Sequence, residues 1–242
     1  MKTLLIDIGN STVDFRVLGD GKIEKLLRPN TSNVFYQNYK VYLDYLKGMK
    51  INKIIYSCVV LMYDEIIINL ARELGIEAKK VTYKDLDEKL LDIDDKTQIG
   101  GDFIANFIAI NAMKKSDYLC ISMGTATTFF LVKNGIFKGA TISPGIEIGA
   151  KSLFSNANLL SEVPWKETED LIGKNTNDAL TIGIVNSHFY MIDAMIKKIK
   201  EKYNIKDVVF TGGNCYKVLS LIKYNQYNFI EDLIFQGLKL FA

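Results

Sequence analysis

The chain has 242 residues, which is enough for one large domain or for two domains of roughly 110 to 120 residues. A hydrophobic content of 48% with only three prolines excludes a disordered or low-complexity chain. The net charge of +2, from 30 basic and 28 acidic side chains, argues against a nucleic-acid partner and favours a small-molecule one.

No apolar segment is expected to reach the ~18 residues of a membrane span, and Met1-Lys2 leads directly into the first predicted strand. We therefore expect no signal peptide, no membrane association and a cytoplasmic protein. Three widely spaced cysteines in apolar surroundings are typical of reduced core thiols. The only histidine, His188, has no paired serine or cysteine motif, so it is predicted to be a packed or interfacial side chain.

The first predicted element is a β-hairpin with a glycine turn at its tip. An apolar run from Leu4 leads into Asp7, and Gly9 is followed by three small polar residues before the apolar pattern resumes at Val13. Asp7 can face a divalent cation, while Gly9 allows backbone N–H groups to come close to phosphate oxygens because it lacks a Cβ. This stretch therefore predicts an anion-binding turn near a metal ion.

The remainder of the first half alternates strands and helices. The predicted elements are a strand at 22–28, a helix at 35–46, a strand at 53–60, a helix at 64–74 that ends at Gly75, and a strand at 77–82. Residues 84–98 are charged and irregular, with Asp92, Asp94 and Asp95 close together. An exposed loop is the preferred interpretation, since aspartate-rich loops are common on protein surfaces, and a metal site is the alternative.

Gly100-Gly101-Asp102 precedes a helix predicted at 103–115, which is apolar on most sides and is expected to be buried. We place Asp102 at the N-cap of this helix. A carboxylate there can be purely structural, because it accepts backbone N–H groups and interacts favourably with the helix dipole. It can also serve as a catalytic base, and the residues alone leave both roles open.

The second half repeats this plan. Residues 119–130 align without a gap under residues 4–15, so that Ser122 falls on Asp7, Gly124 on Gly9 and Phe130 on Phe15. The further elements are a hairpin at 118–132, a strand at 136–142, helices at 149–160 and 177–203, and a strand at 205–210 that leads to Thr211-Gly212-Gly213. Two related halves predict a duplicated α/β fold with mixed β-sheets and an interdomain cleft. The predicted domains are 1–115, with a C-terminal helix at about 230–242 packing back on it, and 116–229.

Two anion-binding turns and a late strand followed by Thr-Gly-Gly are typical of a phosphoryl-transfer site for a nucleoside triphosphate. Such a site needs neutralised phosphate charge, and often a base near the acceptor hydroxyl. Asp7 is the candidate ligand for Mg²⁺, and Asp102 is the candidate base. The chain has neither a Gly-x-x-x-x-Gly-Lys-Ser/Thr loop nor a Gly-x-Gly-x-x-Gly pattern, which argues against P-loop and dinucleotide-binding sites.

An ordered series of motifs resembles the type III pantothenate kinases, which belong to the acetate and sugar kinase/Hsc70/actin superfamily. The motifs are Asp7-Ile8-Gly9-Asn10-Ser11, Gly100-Gly101-Asp102, residues 123–128, residues 139–145, residues 175–179 with Gly183, Thr211-Gly212-Gly213 and residues 232–238. They cover nearly the whole chain in the family's order. The resemblance implies duplicated actin-like (ribonuclease H-like) domains.

The resemblance also implies ATP-dependent phosphorylation of pantothenate to 4'-phosphopantothenate, the first step of coenzyme A biosynthesis, by a homodimer. In that family the aspartate matching Asp102 accepts the proton from pantothenate. The residues expected to bind ATP are Asp7, Ile8, Gly9, Asn10, Ser11, Thr12, Val13, Asp14, Thr125, Gly212 and Gly213. The residues expected to bind pantothenate are Ile93, Gly100, Gly101, Asp102, Phe103 and Thr176.

Four positions depart from the family pattern. Ser122 stands where the family has an aspartate associated with a monovalent cation, K⁺ or NH₄⁺, and a serine oxygen is a much weaker cation ligand than a carboxylate. Phe103 replaces an arginine that could pair with an anionic group of the substrate. Ile93 and Lys96 replace a tyrosine and a proline, and Lys96 is a candidate to supply the missing charge.

These departures leave two alternatives beside an active pantothenate kinase. One is a nucleotide-binding regulatory protein of the same fold with lost or altered kinase activity. The other is a kinase that acts on a different hydroxyl substrate, since fold alone fixes function weakly.

Overall fold

The computed structural model describes residues 2–31, 42–113 and 116–242. The chain divides into two compact units, unit 1 (Met1–Lys115 with Asp232–Ala242) and unit 2 (Ser116–Glu231). Each unit has its own five-stranded mixed sheet and its own helices. The predicted α/β class is confirmed.

Unit 1 is built on a sheet in the strand order β3-β2-β1-β4-β5. Its strands are β1 (Lys2–Ile8), β2 (Val13–Gly19), β3 (Lys22–Leu27), β4 (Ile51–Cys58) and β5 (Glu77–Lys80). The first three form an antiparallel meander, while β4 runs parallel to β1 and β5 parallel to β4. Leu4, Leu5 and Ile6 of β1 are all fully buried, as expected for a central strand that is covered on both faces.

The helices of the first half are α1 (residues 42–47), α2 (Met62–Leu74) and α3 (Gly101–Ala112). α2 ends at Gly75 in the left-handed conformation, with φ of 67°, as the glycine predicts. The helix predicted at 35–46 lies partly outside the described residues. Short 3₁₀ turns occupy parts of 83–98, where Asp95 is exposed and accepts a hydrogen bond from the Thr97 N–H at 2.9 Å, so the exposed-loop interpretation is confirmed.

Unit 2 repeats the strand order of unit 1 as β8-β7-β6-β9-β10. Its strands are β6 (Tyr118–Met123), β7 (Ala126–Lys133), β8 (Ile136–Pro144), β9 (Asp207–Thr211) and β10 (Asn228–Phe229), and its helices are α4 (Ile146–Asn156), α5 (Thr176–Tyr203) and α6 (Leu219–Tyr224). β6, β7 and β8 form an antiparallel meander, β9 runs parallel to β6, and β10 parallel to β9. The predicted duplication is therefore present in the topology of both sheets.

The second hairpin is one residue shorter than the first, so the gap-free alignment of the two halves is wrong beyond the turn. The Gly9 N–H donates to the Thr12 carbonyl, whereas the Gly124 N–H donates to the Ala126 carbonyl, one position earlier. As a result Ile6 lies opposite Phe15, but its counterpart Ile121 lies opposite Phe129. Phe15 therefore corresponds to Phe129 rather than to Phe130.

Helix α5 has 28 residues and is long and apolar enough to cross a membrane by length and composition, contrary to the expectation that no segment would be. However, 56% of its apolar window is buried inside the protein, where Val185, Phe189 and Ile192 join the core of unit 2. This is the pattern of a core helix. The three cysteines are buried and free, as predicted.

The C-terminal residues belong to unit 1 and form helix α7 (Leu233–Leu238), which packs against α3. The approach of the two helices is close enough that a Cβ at Gly237 would overlap the Ala105 carbonyl oxygen. The predicted C-terminal helix at 230–242 is thus shorter than expected, with a 3₁₀ turn at Lys239–Phe241.

Candidate active site

Two carboxylates lie opposite each other on the hairpin that opens unit 1. In the antiparallel register of β1 and β2, Asp7 pairs with Asp14. Like charges directly opposite on a sheet destabilise it, and the neighbouring cations offset this. Arg16 donates to Asp14 through Nε at 2.8 Å and Nη2 at 3.0 Å, and the Arg28 Nε lies 3.7 Å from the Asp14 Oδ2.

Asp7 is the most perturbed carboxylate of this hairpin. Burial, followed by the negative charges of Asp102 and Asp14, raises the pKa of Asp7 from 3.8 to about 7, while Arg28 and Arg16 lower it. Such a group takes up a proton or a cation readily near neutral pH. The geometry of unit 1 also links the two predicted site residues, because a Cβ at Gly101 would lie 3.2 Å from the Ser57 Oγ, and Ser57 is in register with Asp7.

The turn after Asp7 is fixed by the segment that follows β3. The Gly9 carbonyl accepts a hydrogen bond from the Thr31 Oγ1 at 2.7 Å, and the Ser11 carbonyl accepts one from the Thr31 N–H at 2.8 Å. The Arg28 Nε donates to the Thr12 Oγ1 at 3.2 Å, while the Arg28 side chain remains 56% exposed. The turn is thus held from outside, with a cation beside it.

Asp102 lies in the first turn of α3 and is not the N-cap, so its predicted position was wrong. The N-cap is Gly100, in an extended conformation. The Asp102 carboxylate folds back over the start of the helix, where it accepts hydrogen bonds from its own N–H and that of Phe103. A Cβ at Gly100 would overlap the Asp102 Oδ1, so this conformation of Asp102 needs a glycine there.

Burial raises the pKa of Asp102, and the two backbone N–H groups oppose this by stabilising the charged form. The start of α3 also packs tightly, because a Cβ at Gly101 would lie 2.7 Å from the Val81 carbonyl oxygen and 3.2 Å from the Ser57 Oγ. The glycine pair therefore brings the helix terminus close to the end of β4.

The residues around Asp7 fit a divalent cation of the kind that phosphoryl-transfer enzymes use. Mg²⁺ is usually held by one or two carboxylates together with water and phosphate oxygens. The Ser57 Oγ, in register with Asp7, is buried and makes no hydrogen bond to any residue in the described part of the chain. Those residues contain no group of three or more His, Cys, Asp or Glu side chains arranged for a metal, so further ligands would be phosphate or water.

Unit 2 has its own glycine turn, held by two other segments. The Asn214 Nδ2 donates to the Gly124 carbonyl at 2.9 Å, and the Gly145 N–H donates to the Thr125 carbonyl at 3.1 Å. Gly212 has φ of 97°, and a Cβ there would lie 2.5 Å from the Met123 carbonyl oxygen. Thr125, Gly212 and Gly213 are therefore brought together around one turn.

Ser122 precedes that turn in β6 and pairs with Thr128 on one side and with Thr211 on the other. Its neighbours in register carry hydroxyl groups and no carboxylate. His188 is packed within unit 2, as predicted, with its Nε2 at 3.0 Å from the Oγ1 of the fully buried Thr127. Burial lowers the pKa of His188, so the neutral imidazole is favoured.

The predicted substrate residues lie in both units. Phe103 follows Asp102 in α3, and Ile93 is partly buried in the segment before it. Thr176 is the exposed first residue of α5 in unit 2. Lys96 forms an ion pair with Glu88 at 3.2 Å, so its charge is already partnered and it is a poor replacement for the missing arginine.

Sequence reasoning missed Ser57 and Arg28. Ser57 is a polar residue at the carboxyl end of a buried strand that runs parallel to β1. Because ligands often bind at the carboxyl ends of parallel strands, this position could have identified Ser57 as a candidate site residue. Arg28 directly follows the third strand of the meander, and only the fold shows that it lies beside Thr12.

Comparisons with known proteins agree with this architecture. The sequence profile of the type III pantothenate kinase family matches residues 3–198. The chain is 28% identical over 239 residues to the type III pantothenate kinase of Mycoplasma mobile, covering 98% of this chain and 96% of that protein. It is 34% identical over 220 residues to the type III pantothenate kinase of Kosmotoga olearia, covering 87% and 84%.

Among solved structures, a protein of Listeria monocytogenes assigned as an N-acetylmannosamine kinase matches the whole of both chains with a TM-score of 0.58. At 11% identity this likeness shows the fold alone, a two-domain α/β fold. The family profile covers well over half of the chain. The chain therefore belongs to the type III pantothenate kinase family.

Proposed function

We propose that the protein transfers the γ-phosphoryl group of ATP to pantothenate, giving 4'-phosphopantothenate for coenzyme A synthesis, with Asp102 as the proton acceptor. The observation that carries the proposal is the Asp102 carboxylate at the start of α3, next to Gly101, which packs against Ser57 in register with Asp7. A base and a phosphate turn beside each other are what in-line phosphoryl transfer requires. Family membership names the acceptor.

Asp102 is suited to accept a proton from the terminal hydroxyl of pantothenate. Burial raises its pKa toward the working pH, where a base is most effective, and the N–H groups of Asp102 and Phe103 hold its carboxylate in place. The proton would pass from the hydroxyl to the Asp102 carboxylate as the oxygen attacks phosphorus. Gly100, Gly101, Phe103 and Ile93 would surround the acceptor.

The turn from Asp7 to Asp14 would bind the phosphates of ATP, with Arg28 contributing positive charge at its edge. Mg²⁺, when bound beside Asp7, neutralises phosphate charge. Thr125, Gly212 and Gly213 of unit 2 would contact the rest of the nucleotide, since a strand that ends in glycines permits close approach of a flat ligand.

We further propose that units 1 and 2 are the two domains of the family fold, and that the protein is a cytoplasmic homodimer in which Thr176 helps to bind pantothenate. We also propose that activity does not depend on K⁺ or NH₄⁺. Ser122 and its partners in register, Thr128 and Thr211, offer hydroxyl oxygens, which are weaker ligands for a monovalent cation than the family's carboxylate.

The proposal is tested by mixing the purified protein with ATP, Mg²⁺ and pantothenate, with and without K⁺ or NH₄⁺, and measuring phosphopantothenate. We expect turnover in every mixture that contains Mg²⁺. ATP binding by calorimetry without phosphorylated pantothenate under any of these conditions would contradict the proposal and favour the regulatory alternative.

A further inference from the structure

We propose that His188 positions the glycine turn of unit 2 for the nucleotide through its hydrogen bond to Thr127. The inference rests on the proposed function, in which Thr125 of this turn contacts ATP. The His188 Nε2 lies 3.0 Å from the Thr127 Oγ1, and Thr127 is fully buried. His188 is thus a positioning residue, which acts through Thr127 and the turn rather than by touching the reacting atoms.

Thr127 lies at the start of β7, directly after the turn. The Gly124 N–H donates to the Ala126 carbonyl at 2.9 Å, and this bond closes the turn one residue before Thr127. In the sheet, Thr127 pairs with Met123 of β6 on one side and with Ser143 of β8 on the other. A change in the position of Thr127 therefore moves the end of the turn.

The side chain of Thr127 lies on the face of β7 that packs against α5. Side chains two residues apart lie on the same face of a strand, and Phe129 belongs to the apolar core that also contains Val185 and Phe189 of α5. Thr127 adds a hydroxyl group to this face, where a buried hydroxyl without a partner is unfavourable. The imidazole of His188 supplies the partner.

The imidazole is suited to this hydrogen bond in its neutral form. Burial lowers the pKa of His188, so the neutral ring is favoured. A neutral imidazole has one N–H donor and one acceptor nitrogen, and a hydroxyl group can match either of them. The bond to Thr127 therefore forms with either tautomer.

The hydrogen bond keeps the imidazole against β7. His188 also lines a cavity of about 490 Å³ whose wall is formed by residues of α4 and α5, among them Ile146 and Ile184. The ring therefore has space to turn away from β7 when its partner is removed. Thr127 would then be buried without a partner, and the start of β7 would shift.

The turn has little freedom to absorb such a shift. A Cβ at Gly145 would overlap the Thr125 carbonyl oxygen, and a Cβ at Gly212 would lie 2.5 Å from the Met123 carbonyl oxygen. Segments packed this closely transmit a displacement to their neighbours. A displacement of Thr127 is therefore expected to reach Thr125.

Hydrogen exchange tests this link in the nucleotide-free protein. In His188→Phe, which keeps an aromatic ring and removes its nitrogens, the Gly124 amide should exchange about fivefold faster by NMR, because the bond that closes the turn is loosened. His188→Gln should restore slow exchange, since its amide group can donate or accept. Ser187→Ala is the matched control, because Ser187 is exposed on the same helix and donates to the Gly183 carbonyl; it should not change the exchange.

ATP binding provides the second measurement. His188→Phe and Thr127→Val should each raise the Kd for ATP with Mg²⁺, measured by calorimetry, and the KM for ATP about tenfold, as expected when a buried polar group loses its partner. By contrast, kcat and the KM for pantothenate should change less than about threefold. The double variant should bind ATP no more weakly than either single variant, since both substitutions remove the same hydrogen bond. Thr127→Ser keeps the hydroxyl group and should bind ATP like the wild type.

The outcomes separate the role of His188 from the proposed function. If the wild type phosphorylates pantothenate but His188→Phe changes neither the Gly124 exchange nor the Kd for ATP, or if the two effects multiply in the double variant, His188 does not position the turn and the kinase proposal stands. If His188→Phe does not fold, Thr127→Val gives the same test without altering the helix. If exchange and ATP binding respond as expected but pantothenate is never phosphorylated, the role of His188 is supported and the proposed function fails.

Discussion

Arg16 holds both carboxylate oxygens of Asp14, with its Nε 2.8 Å from Oδ1 and its Nη2 3.0 Å from Oδ2. The same Nη2 lies 3.0 Å from the Asp232 Oδ1, and the guanidinium lies 4.5 Å from the centre of the Phe235 ring. Burial alone would lower the pKa of Arg16, but the hydrogen bonds and charges of Asp14 and Asp232 raise it. One buried cation thus joins the opening hairpin to the C-terminal helix.

Replacing Arg16 with Met should destabilise the protein by about 3 to 5 kcal/mol, because it leaves two carboxylates without their buried partner. The free energy of unfolding is measured by urea denaturation. Arg72→Met is the matched control, since Arg72 is exposed on α2 and its Nη1 donates to the Asn69 Oδ1 on the same helix at 2.7 Å; the substitution should cost at most ~0.5 kcal/mol. Equal losses of unfolding free energy in the two variants would show that the buried ion pairs of Arg16 do not stabilise the protein more than an exposed arginine does.

Asp7 should make the stability of the nucleotide-free and Mg²⁺-free protein fall as the pH rises from about 4 to about 7. Its pKa is about 7 when folded against 3.8 ordinarily, so between these values the folded protein retains a proton that the unfolded chain has released. The contribution of Asp7 is therefore full below pH 3.8 and lost above pH 7, and at 1.36 kcal/mol per pH unit it amounts to about 4 kcal/mol.

The measurement is the free energy of unfolding against pH for the wild type and for Asp7→Asn. The variant should lose most of this slope, because an amide does not titrate. A wild-type profile and a variant profile that run parallel from pH 4 to pH 7.5 would show that Asp7 titrates normally. In the kinase assay the same variant should weaken turnover with Mg²⁺ and ATP strongly, since it removes the proposed metal ligand.

Asp102→Asn should reduce kcat about 10²- to 10⁴-fold, because an amide cannot accept the proton of the attacking hydroxyl. The Kd for ATP, measured by calorimetry, should change less than about threefold, as the base is not a phosphate ligand in this proposal. Asp44→Asn serves as a control, since the Asp44 side chain is 83% exposed on α1. Near-normal turnover by Asp102→Asn would leave Asp102 only its structural role at the start of α3.

Ser122 should make the activity nearly independent of monovalent cations. Replacing K⁺ with Na⁺ or NH₄⁺ at constant ionic strength should change kcat/KM less than about twofold, because a serine hydroxyl is a weak cation ligand. Ser122→Asp adds a carboxylate beside Thr128 and Thr211 and should produce a measurable dependence on K⁺. A strong K⁺ requirement in the wild type would mean that other oxygens replace the family's aspartate.

The two turns and the order of the strands could be predicted because local chemistry determines them. A buried strand that ends in a glycine and small polar residues forms a glycine turn in both halves, and the helix stop at Gly75 follows from its left-handed conformation. The exact length of the second turn could not be predicted, since both Gly124-Thr125 and Gly9-Asn10 look alike in sequence. Only the hydrogen bonds distinguish them.

The parts of the site that the sequence did not predict depend on contacts between distant segments. Asp14 and Arg16 are two residues apart on β2 and so lie on the same face of the strand. No feature of the neighbouring sequence indicates that Asp232 also pairs with Arg16. Asp102 was placed at an N-cap because its carboxylate can satisfy helix N–H groups, and it does so from inside the first turn, a conformation that Gly100 permits. Side-chain direction at a helix start thus depends on packing that sequence spacing does not show.

Gly237→Ala should destabilise unit 1 by about 1 to 3 kcal/mol or more, because the added Cβ would overlap the Ala105 carbonyl oxygen and force α7 away from α3. The matched control is Gly149→Ala in α4, where a Cβ meets nothing within 4 Å; it should stabilise the protein by about 0.5 to 1 kcal/mol through its higher helix propensity. Both are measured by thermal and urea denaturation. Because α7 also carries Phe235, which lies against Arg16, Gly237→Ala should weaken ATP turnover as well. An unchanged free energy of unfolding would show that α3 and α7 can separate without cost.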